Sequence, residues 1–264
     1  FYKLPIPFPE LHLGHDLSGT VVQVGEEVTR FKEGDEVYAM SLKPGTFSEY
    51  VSIDNRMVSL KPKNLSFVEA ASIPMAGLTA LQFFEIGKLK PGSSVLVNGG
   101  SGGVGTYAVQ IAKSRGAIVT SVCSTRNIER VKSLGAQRVI DYTLEDIFKC
   151  GGGFDIVFDT IGNFSPNQAK SILNKNGIFL STLPGLKVIA WSILSRMPGV
   201  NKNKTSTAIA LPKGRDLEKI RTLIEQGNVK VLIDKVYPLE KIGMAIIYSK
   251  TGRAQGKIVL ETKC

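Results

Sequence analysis

A glycine-rich turn between a buried strand and a helix constrains this chain more than any other feature. The apolar residues 94–97 lead into the run NGGSGGVG at 98–105, and a helical pattern follows over 105–115. The glycines at 99, 102 and 105 have the spacing GxxGxxG. A dinucleotide pyrophosphate needs bare backbone close to it and N–H groups at the start of a helix. Because the turn lies inside a strand–helix–strand unit, it predicts dinucleotide binding rather than a flexible loop.

The segments after the turn alternate between strand and helix patterns. Strands are predicted over 94–97, 118–123, 138–140, 156–158 and 177–180, and helices over 105–115, 127–134, 166–173 and 216–227. Alternation at this spacing favours the α/β class, with a doubly wound parallel Rossmann sheet.

The first part of the chain has a different pattern. Residues 17–60 are β-rich, with strands predicted over 20–24, 36–40 and 47–53, which favours a small barrel or curled sheet. Ser66 and Glu69 form a predicted capping box before a helix over 70–73, Pro74 interrupts the helical pattern, and a second helix is predicted over 77–86. The last predicted strand, 257–261, is expected to return to the β-rich region.

The residues after the second strand of the unit indicate which ribose the site accepts. Enzymes that use NAD place an acid about twenty residues after the turn, where it binds the ribose 2′-hydroxyl. Here the chain reads Ser124, Thr125, Arg126 and Asn127, with no acid before Glu129. Hydroxyls and an arginine suit a 2′-phosphate, so the pattern predicts NADPH. The alternative is that Arg126 is a solvated surface residue.

Composition and charge exclude several classes of protein. The 264 residues are 43% hydrophobic and carry a formal charge of +10, with basic residues spread along the chain. A solvated basic surface around an anionic cofactor fits this distribution, and a nucleic-acid partner is not expected. No apolar run reaches the ~18 residues of a membrane-spanning helix. No targeting peptide is visible from Phe1 onward, and we expect the chain to be the greater part of a longer protein.

The metal-ligating residues are few. Three cysteines, at 123, 150 and 264, are far apart, which favours a reducing compartment without a disulfide framework. The histidines are His12 and His15. A catalytic zinc needs three protein ligands, and no such set stands out, so we predict no metal site.

A series of landmarks in order carries a family resemblance. They are Gly14-His15-Asp16 with Gly19, FKEGDEV at 31–37, GTFSEYV at 45–51, AGLTA at 76–80, the glycine turn, VIDY at 139–142, Phe154-Asp155 to Gly162, Gly252-Arg253, and GKIV at 256–259. The chain resembles the zinc-independent quinone and enone oxidoreductase branch of the medium-chain dehydrogenase/reductases. The resemblance implies a GroES-like catalytic domain, in part, over 1–66, a Rossmann domain over 67–233, and a C-terminal return over 234–264. Zinc-dependent relatives carry a cysteine near Met75 and a four-cysteine lobe, and both are missing here.

The resemblance also implies a set of cofactor contacts and a chemistry. The implied contacts are Thr79, Ser101, Gly102, Gly103, Val104, Ser124, Arg126, Asn127, Tyr142, Gly162, Leu183 and Arg253. The implied reaction is NADPH-dependent reduction of a quinone or enone by a homodimer in the cytoplasm or an organelle. No catalytic side chain is assigned. An alcohol dehydrogenase, and a non-catalytic NADPH-binding protein that binds RNA or acts as a scaffold, are the alternatives.

Overall fold

The computed structural model describes residues 13–183, 185–194 and 204–262. The strands are β1 (Asp16–Thr20), β2 (Glu36–Met40), β3 (Val58–Leu60), β4 (Ser94–Asn98), β5 (Ile118–Cys123), β6 (Arg138–Asp141), β7 (Phe154–Asp159), β8 (Leu173–Ser181), β9 (Lys204–Thr207), β10 (Ile233–Pro238) and β11 (Lys257–Glu261). The α-helices are α1 (Phe67–Ala71), α2 (Pro74–Ile86), α3 (Gly103–Ser114), α4 (Ile128–Ser133), α5 (Pro166–Ile172), α6 (Leu186–Leu194), α7 (Gly214–Glu225) and α8 (Ile242–Lys250). Within these residues, no helix is long and apolar enough to cross a membrane.

The largest sheet confirms the predicted α/β class. Its strand order is β6-β5-β4-β7-β8-β9, and every paired neighbour is parallel. Apolar side chains leave β4 in alternate directions: Val95 and Val97 pack with α2, α3 and α7 on one face, and Leu96 packs with α5 on the other. Burial on both faces is what a parallel sheet with crossover helices requires.

The first sheet is smaller than the sequence predicted. β1, β2 and β3 form an antiparallel sheet in that order. The strand predicted over 20–24 is wrong, because β1 ends at Thr20. Only Val21 continues the contact with the second strand, irregularly: its N–H donates to the carbonyl of Asp35 and its carbonyl accepts from the N–H of Gly34. The strand predicted over 47–53 is also wrong. Phe47 and Tyr50 are 39% and 75% exposed, so alternation there does not mark a face packed on a core.

The helices near Pro74 correct a second prediction. The capping box of Ser66 and Glu69 is confirmed, and it begins α1. Pro74 does not interrupt a helix. It begins α2, a position where its missing N–H would have had no partner in any case.

The last strand pairs differently from our expectation. β11 hydrogen-bonds in parallel to β10, in a separate two-stranded sheet. β11 approaches β1 only through a side chain among the contacts described: Lys257 Nζ lies 3.9 Å from a carboxylate oxygen of Asp16.

Candidate cofactor-binding site

The glycine turn is held in place by the strand beside it. The N–H groups of Gly99 and Gly100 both donate to the carbonyl of Val122 in β5, at 3.1 and 3.0 Å. The N–H of Gly102 closes the turn onto Gly99 at 3.0 Å. No side chain caps the start of α3, so this helix presents its first turn without a built-in acceptor. A helix start of this kind attracts anions.

Several glycines of the turn have no room for a side chain, among them Gly99 and Gly105. Gly99 has φ +83°, and a Cβ there would lie 2.5 Å from Cδ1 of Ile161. A Cβ on Gly105 would overlap the carbonyl oxygen of Gly99. The glycine spacing predicted from the sequence therefore serves a close approach between the turn and the first turn of α3.

A second wall of the site follows β7. Asp159 is fully buried and accepts N–H groups from three residues of the next loop, at 2.9–3.1 Å; these are Ile161, Gly162 and Phe164. Asn98, at the end of β4, donates to the same carboxylate at 2.8 Å. The loops after β4 and β7 are thus fixed to one another. Neither Asn98 nor Asp159 was singled out from the sequence, because their partnership depends on the strand order.

The loop after β7 brings two predicted residues together. Gly162 has φ +82°, and a Cβ there would lie 2.5 Å from Leu183, which follows β8 and is 55% exposed. Gly162 and Leu183 therefore meet at the carboxyl edge of the sheet, the edge where ligands of such folds bind.

The loops after β5 and β6 carry four more predicted contacts. Arg126 follows β5 and is exposed. Tyr142 follows β6, the strand that pairs with β5, and is 58% exposed. The N–H of Tyr142 donates to the carbonyl of Cys123 at 3.2 Å. Asn127 is buried and donates from Nδ2 to Oγ of Ser124 at 3.2 Å, while its Oδ1 has no hydrogen-bond partner among the described residues.

The structure corrects the argument that no acid lies near this strand end. The register of β5 and β6 places Cys123 opposite Asp141. The Thr125 hydroxyl donates to Asp141 at 2.5 Å, so a carboxylate does lie beside the predicted ribose site. Thr143 donates to the same carboxylate from its N–H and its hydroxyl, at 2.9 and 2.7 Å. These bonds, that from Thr125 first, hold the pKa of Asp141 below its usual range.

The remaining predicted contacts come from outside the parallel sheet. Thr79 lies in α2 with its hydroxyl bonded to the carbonyl of Met75 at 2.6 Å. Arg253 is exposed in the loop before β11. Arg130, in α4, ties this loop down by donating to the carbonyl of Gln255 at 2.7 Å.

A buried carboxyl joins the first sheet to the glycine turn. Asp16 accepts the N–H of Met75 at 2.9 Å and lies near Lys257 Nζ. Burial raises the pKa of Asp16 to about 6, against the opposing effects of Lys257, the Met75 N–H and His15. The stem of Lys257 would lie 3.3 Å from a Cβ on Gly103. The pair therefore stands beside the start of α3.

The metal prediction remains a prediction. His15 Nδ1 lies 3.0 Å from the carbonyl oxygen of Ser41. In the described ranges, no three or more side chains of the types His, Cys, Asp and Glu are grouped to hold a metal ion. His12 and Cys264 fall outside the described residues.

Comparisons with known proteins agree with this architecture. Residues 2–63 match the family described as the alcohol dehydrogenase GroES-like domain, and residues 134–260 match the family described as zinc-binding dehydrogenase. A quinone oxidoreductase from Coxiella burnetii superposes with a TM-score of 0.86 at 29% identity, covering 95% of this chain and 79% of that one.

Two curated relatives come from Arabidopsis thaliana. The chloroplast envelope quinone oxidoreductase homolog is 35% identical over 98% of this chain and 82% of its own length. The chloroplastic NADPH-dependent alkenal/one oxidoreductase is 36% identical over 94% of this chain, which spans 63% of that relative. With the landmarks, the parallel sheet and these matches together, the chain belongs to the medium-chain dehydrogenase/reductase superfamily, in its quinone and enone oxidoreductase branch.

Proposed function

We propose that this chain is the larger part of an enzyme that reduces quinones or α,β-unsaturated carbonyls with NADPH, without zinc. The observation that carries the proposal is the glycine-rich turn between β4 and α3, set at the sheet edge where Arg126, Tyr142, Gly162 and Leu183 also lie. The activities for which these relatives are named support the substrate class and the cofactor.

The residues present fit such a cofactor. A Cβ at Gly99 or Gly105 would collide with the protein's own atoms, so glycine at these positions lets the backbone of the turn fold close against α3, and the uncapped start of α3 suits a pyrophosphate. Arg126 offers a guanidinium to a 2′-phosphate, and the exposed ring of Tyr142 offers a surface and a hydroxyl beside it. Ser101–Val104 would contact the pyrophosphate, and Gly162 and Leu183 would line the path toward the nicotinamide.

The chemistry divides between cofactor and protein. NADPH, when bound, supplies a hydride to the electron-poor substrate. The protein would hold the cofactor and the substrate in the correct relative position. The hydrogen bonds that Asp159 accepts fix the loop after β7, one wall of the site, before the cofactor binds. We assign no side chain as the proton donor, so the catalytic residues stay unassigned.

The charge at Arg126 provides the first test. Arg126→Ala removes a charge-assisted hydrogen bond, which contributes about 1.5–3 kcal/mol, or roughly 10- to 150-fold in affinity. Because Arg126 is exposed, we expect the low end for NADPH, almost no change for NADH, and a smaller effect at high salt. Arg138→Ala is the matched control, since Arg138 is an exposed arginine at the opposite end of β6 from Tyr142. Equal losses for both cofactors would make Arg126 structural, and a wild type that prefers NADH would overturn the choice of cofactor.

A second assay separates the enzyme from a non-catalytic NADPH-binding protein of the same fold. NADPH oxidation by the full-length protein is measured with a quinone and with an alkenal. Turnover with either supports the proposal, whereas tight NADPH binding with no turnover on both supports the binding protein. The proposed homodimer is measured separately, by light scattering during gel filtration.

A further inference from the structure

The side chains of the loops after β5 and β6 meet at one carboxylate. One oxygen of Asp141 accepts the Thr125 hydroxyl, and the other accepts both the N–H and the hydroxyl of Thr143. The two threonine hydroxyls also lie 3.0 Å apart. Asp141 itself is 3% exposed. The bond from Thr125 crosses from one loop to the other, while the two bonds from Thr143 hold the carboxylate in place within the second loop.

These loops carry the residues that face a 2′-phosphate in the proposed site. Thr125 lies between Ser124 and Arg126, and Tyr142 follows Asp141 directly. The N–H of Tyr142 adds a backbone bond to Cys123 at 3.2 Å. Hydroxyl donors to a carboxylate are stronger than neutral hydrogen bonds, which makes the junction rigid. Since the Thr125 hydroxyl is already bonded to Asp141, it is not free to bind a phosphate.

We infer that Asp141 is a positioning residue for cofactor specificity: it fixes Arg126 and Tyr142 at the separation that a 2′-phosphate needs, through Thr125 and Thr143. The inference rests on the proposed function, because it concerns the same cofactor. An acid near this strand end normally serves NAD by accepting the ribose hydroxyl. Here the buried carboxylate of Asp141 already accepts three hydrogen bonds, and it supports a preference for NADPH instead.

Removal of the carboxylate and removal of its charge have different expected effects. Asp141→Ala removes the side-chain bond between the two loops and should weaken NADPH binding by about 10-fold while NADH changes less than about 2-fold. Asp141→Asn can keep the junction: its Oδ1 accepts from Thr143, its Nδ2 donates to Thr125, and the Thr125 hydroxyl turns to Thr143. This conservative variant should bind NADPH nearly as wild type does. If charge repulsion dominated instead, both variants would bind NADPH more tightly, and the inference would be overturned.

The experiment measures dissociation constants for NADPH and NADH by calorimetry in wild type, Asp141→Ala, Asp141→Asn and Thr125→Val. Thr125→Val removes one donor without a change of shape, so it tests the junction even if Asp141→Ala does not fold; we expect a loss of roughly 3-fold in NADPH affinity alone. Asp155→Ala is the matched control, because Asp155 lies at the opposite, amino end of the parallel strands. Its carboxylate accepts hydrogen bonds from the Ser94 N–H at 2.9 Å and from Nδ2 of Asn174 at 2.8 Å. The control variant should lower the melting temperature and leave the NADPH-to-NADH ratio unchanged.

Each result bears on a distinct claim. A wild type that prefers NADPH, with a ratio that Thr125→Val and Asp141→Ala leave intact, overturns the role of Asp141 and leaves the proposed function standing. A wild type that binds both cofactors equally overturns the 2′-phosphate site, and the role of Asp141 with it. A falling ratio in Asp141→Ala that Asp141→Asn restores supports the inference.

Discussion

Asp16→Asn should make the protein more stable at neutral and alkaline pH. Asp16 holds its carboxyl in the interior between β1, α2 and β11, with its side chain 17% exposed. The N–H of Met75 donates to it at 2.9 Å, and Lys257 lies too far away, at 3.9 Å, for a good hydrogen bond. An asparagine keeps an oxygen for Met75 and removes the buried charge.

The size of the effect follows from the pKa of Asp16. Burial raises that pKa from 3.8 to about 6, and this difference corresponds to about 3 kcal/mol at most. A carboxyl that binds its proton more tightly in the folded state favours folding fully below the unfolded pKa. That contribution is lost as the pH rises through the folded pKa. Wild type should therefore lose stability relative to Asp16→Asn between about pH 4 and pH 6, and the gap should stay constant above this window.

Urea unfolding of both proteins at several pH values from 4 to 8.5 measures the gap directly. Asp54→Asn is the control: the pKa of the partly exposed Asp54 is lowered to about 2 by its bonds with Arg56, so the stability difference between this variant and wild type should hardly vary in this range. If Asp16→Asn were less stable than wild type at pH 8, or if the gap were independent of pH, the reasoning about a costly buried charge would be refuted.

Three further predictions concern the turn, the metal and the substrate. Gly105→Ala should lower both the melting temperature and the affinity for NADPH, because its Cβ overlaps the carbonyl oxygen of Gly99, whereas Gly19→Ala, with nothing within 4 Å, should change neither. Metal analysis of protein purified without chelator should find far less than one zinc per chain, and stoichiometric, tightly held zinc would contradict the metal prediction. Oxidation of ethanol or propanol with NADP should be slow beside enone reduction, since no Lewis acid is expected to stabilise an alkoxide; comparable rates would argue for an alcohol dehydrogenase.

The parts of the fold that follow from local chemistry could be predicted from the sequence. The capping box at Ser66, the turn at Gly99 and the strands around it are encoded within a few residues, and the structure places them as expected. The strand at 47–53 was wrong because apolar alternation alone does not show which face meets a core, and the strand at 20–24 was wrong because β1 covers the residues before it, Asp16–Thr20. α6, β9, β10 and α8 were missed as well.

The polar framework of the site could not be predicted in the same way. Asp141 is opposite Cys123, and Asp159 is bonded to Asn98, only because of the order and register of the parallel strands. Asp16 and Lys257 come from opposite ends of the chain. Each pair depends on long-range topology, for which a single sequence carries no local signal. One signal in the sequence could have drawn attention to Asp141 and Asp159: each is an acid at the end of a strand of the sheet.

The strand order also determines which parts of the site can form first while the chain is being synthesised. The turn at Gly99 is held by β5, the next strand to be synthesised, whereas the Asn98–Asp159 bond joins residues 61 positions apart and needs β7. Closing the longer loop costs more entropy and comes later. A nascent chain that ends before β7 therefore carries the glycine turn without the loop that forms the opposite wall of the site. We expect protection of the turn from proteases by a bound dinucleotide to begin only in chains that extend past Phe164, the last backbone donor to Asp159.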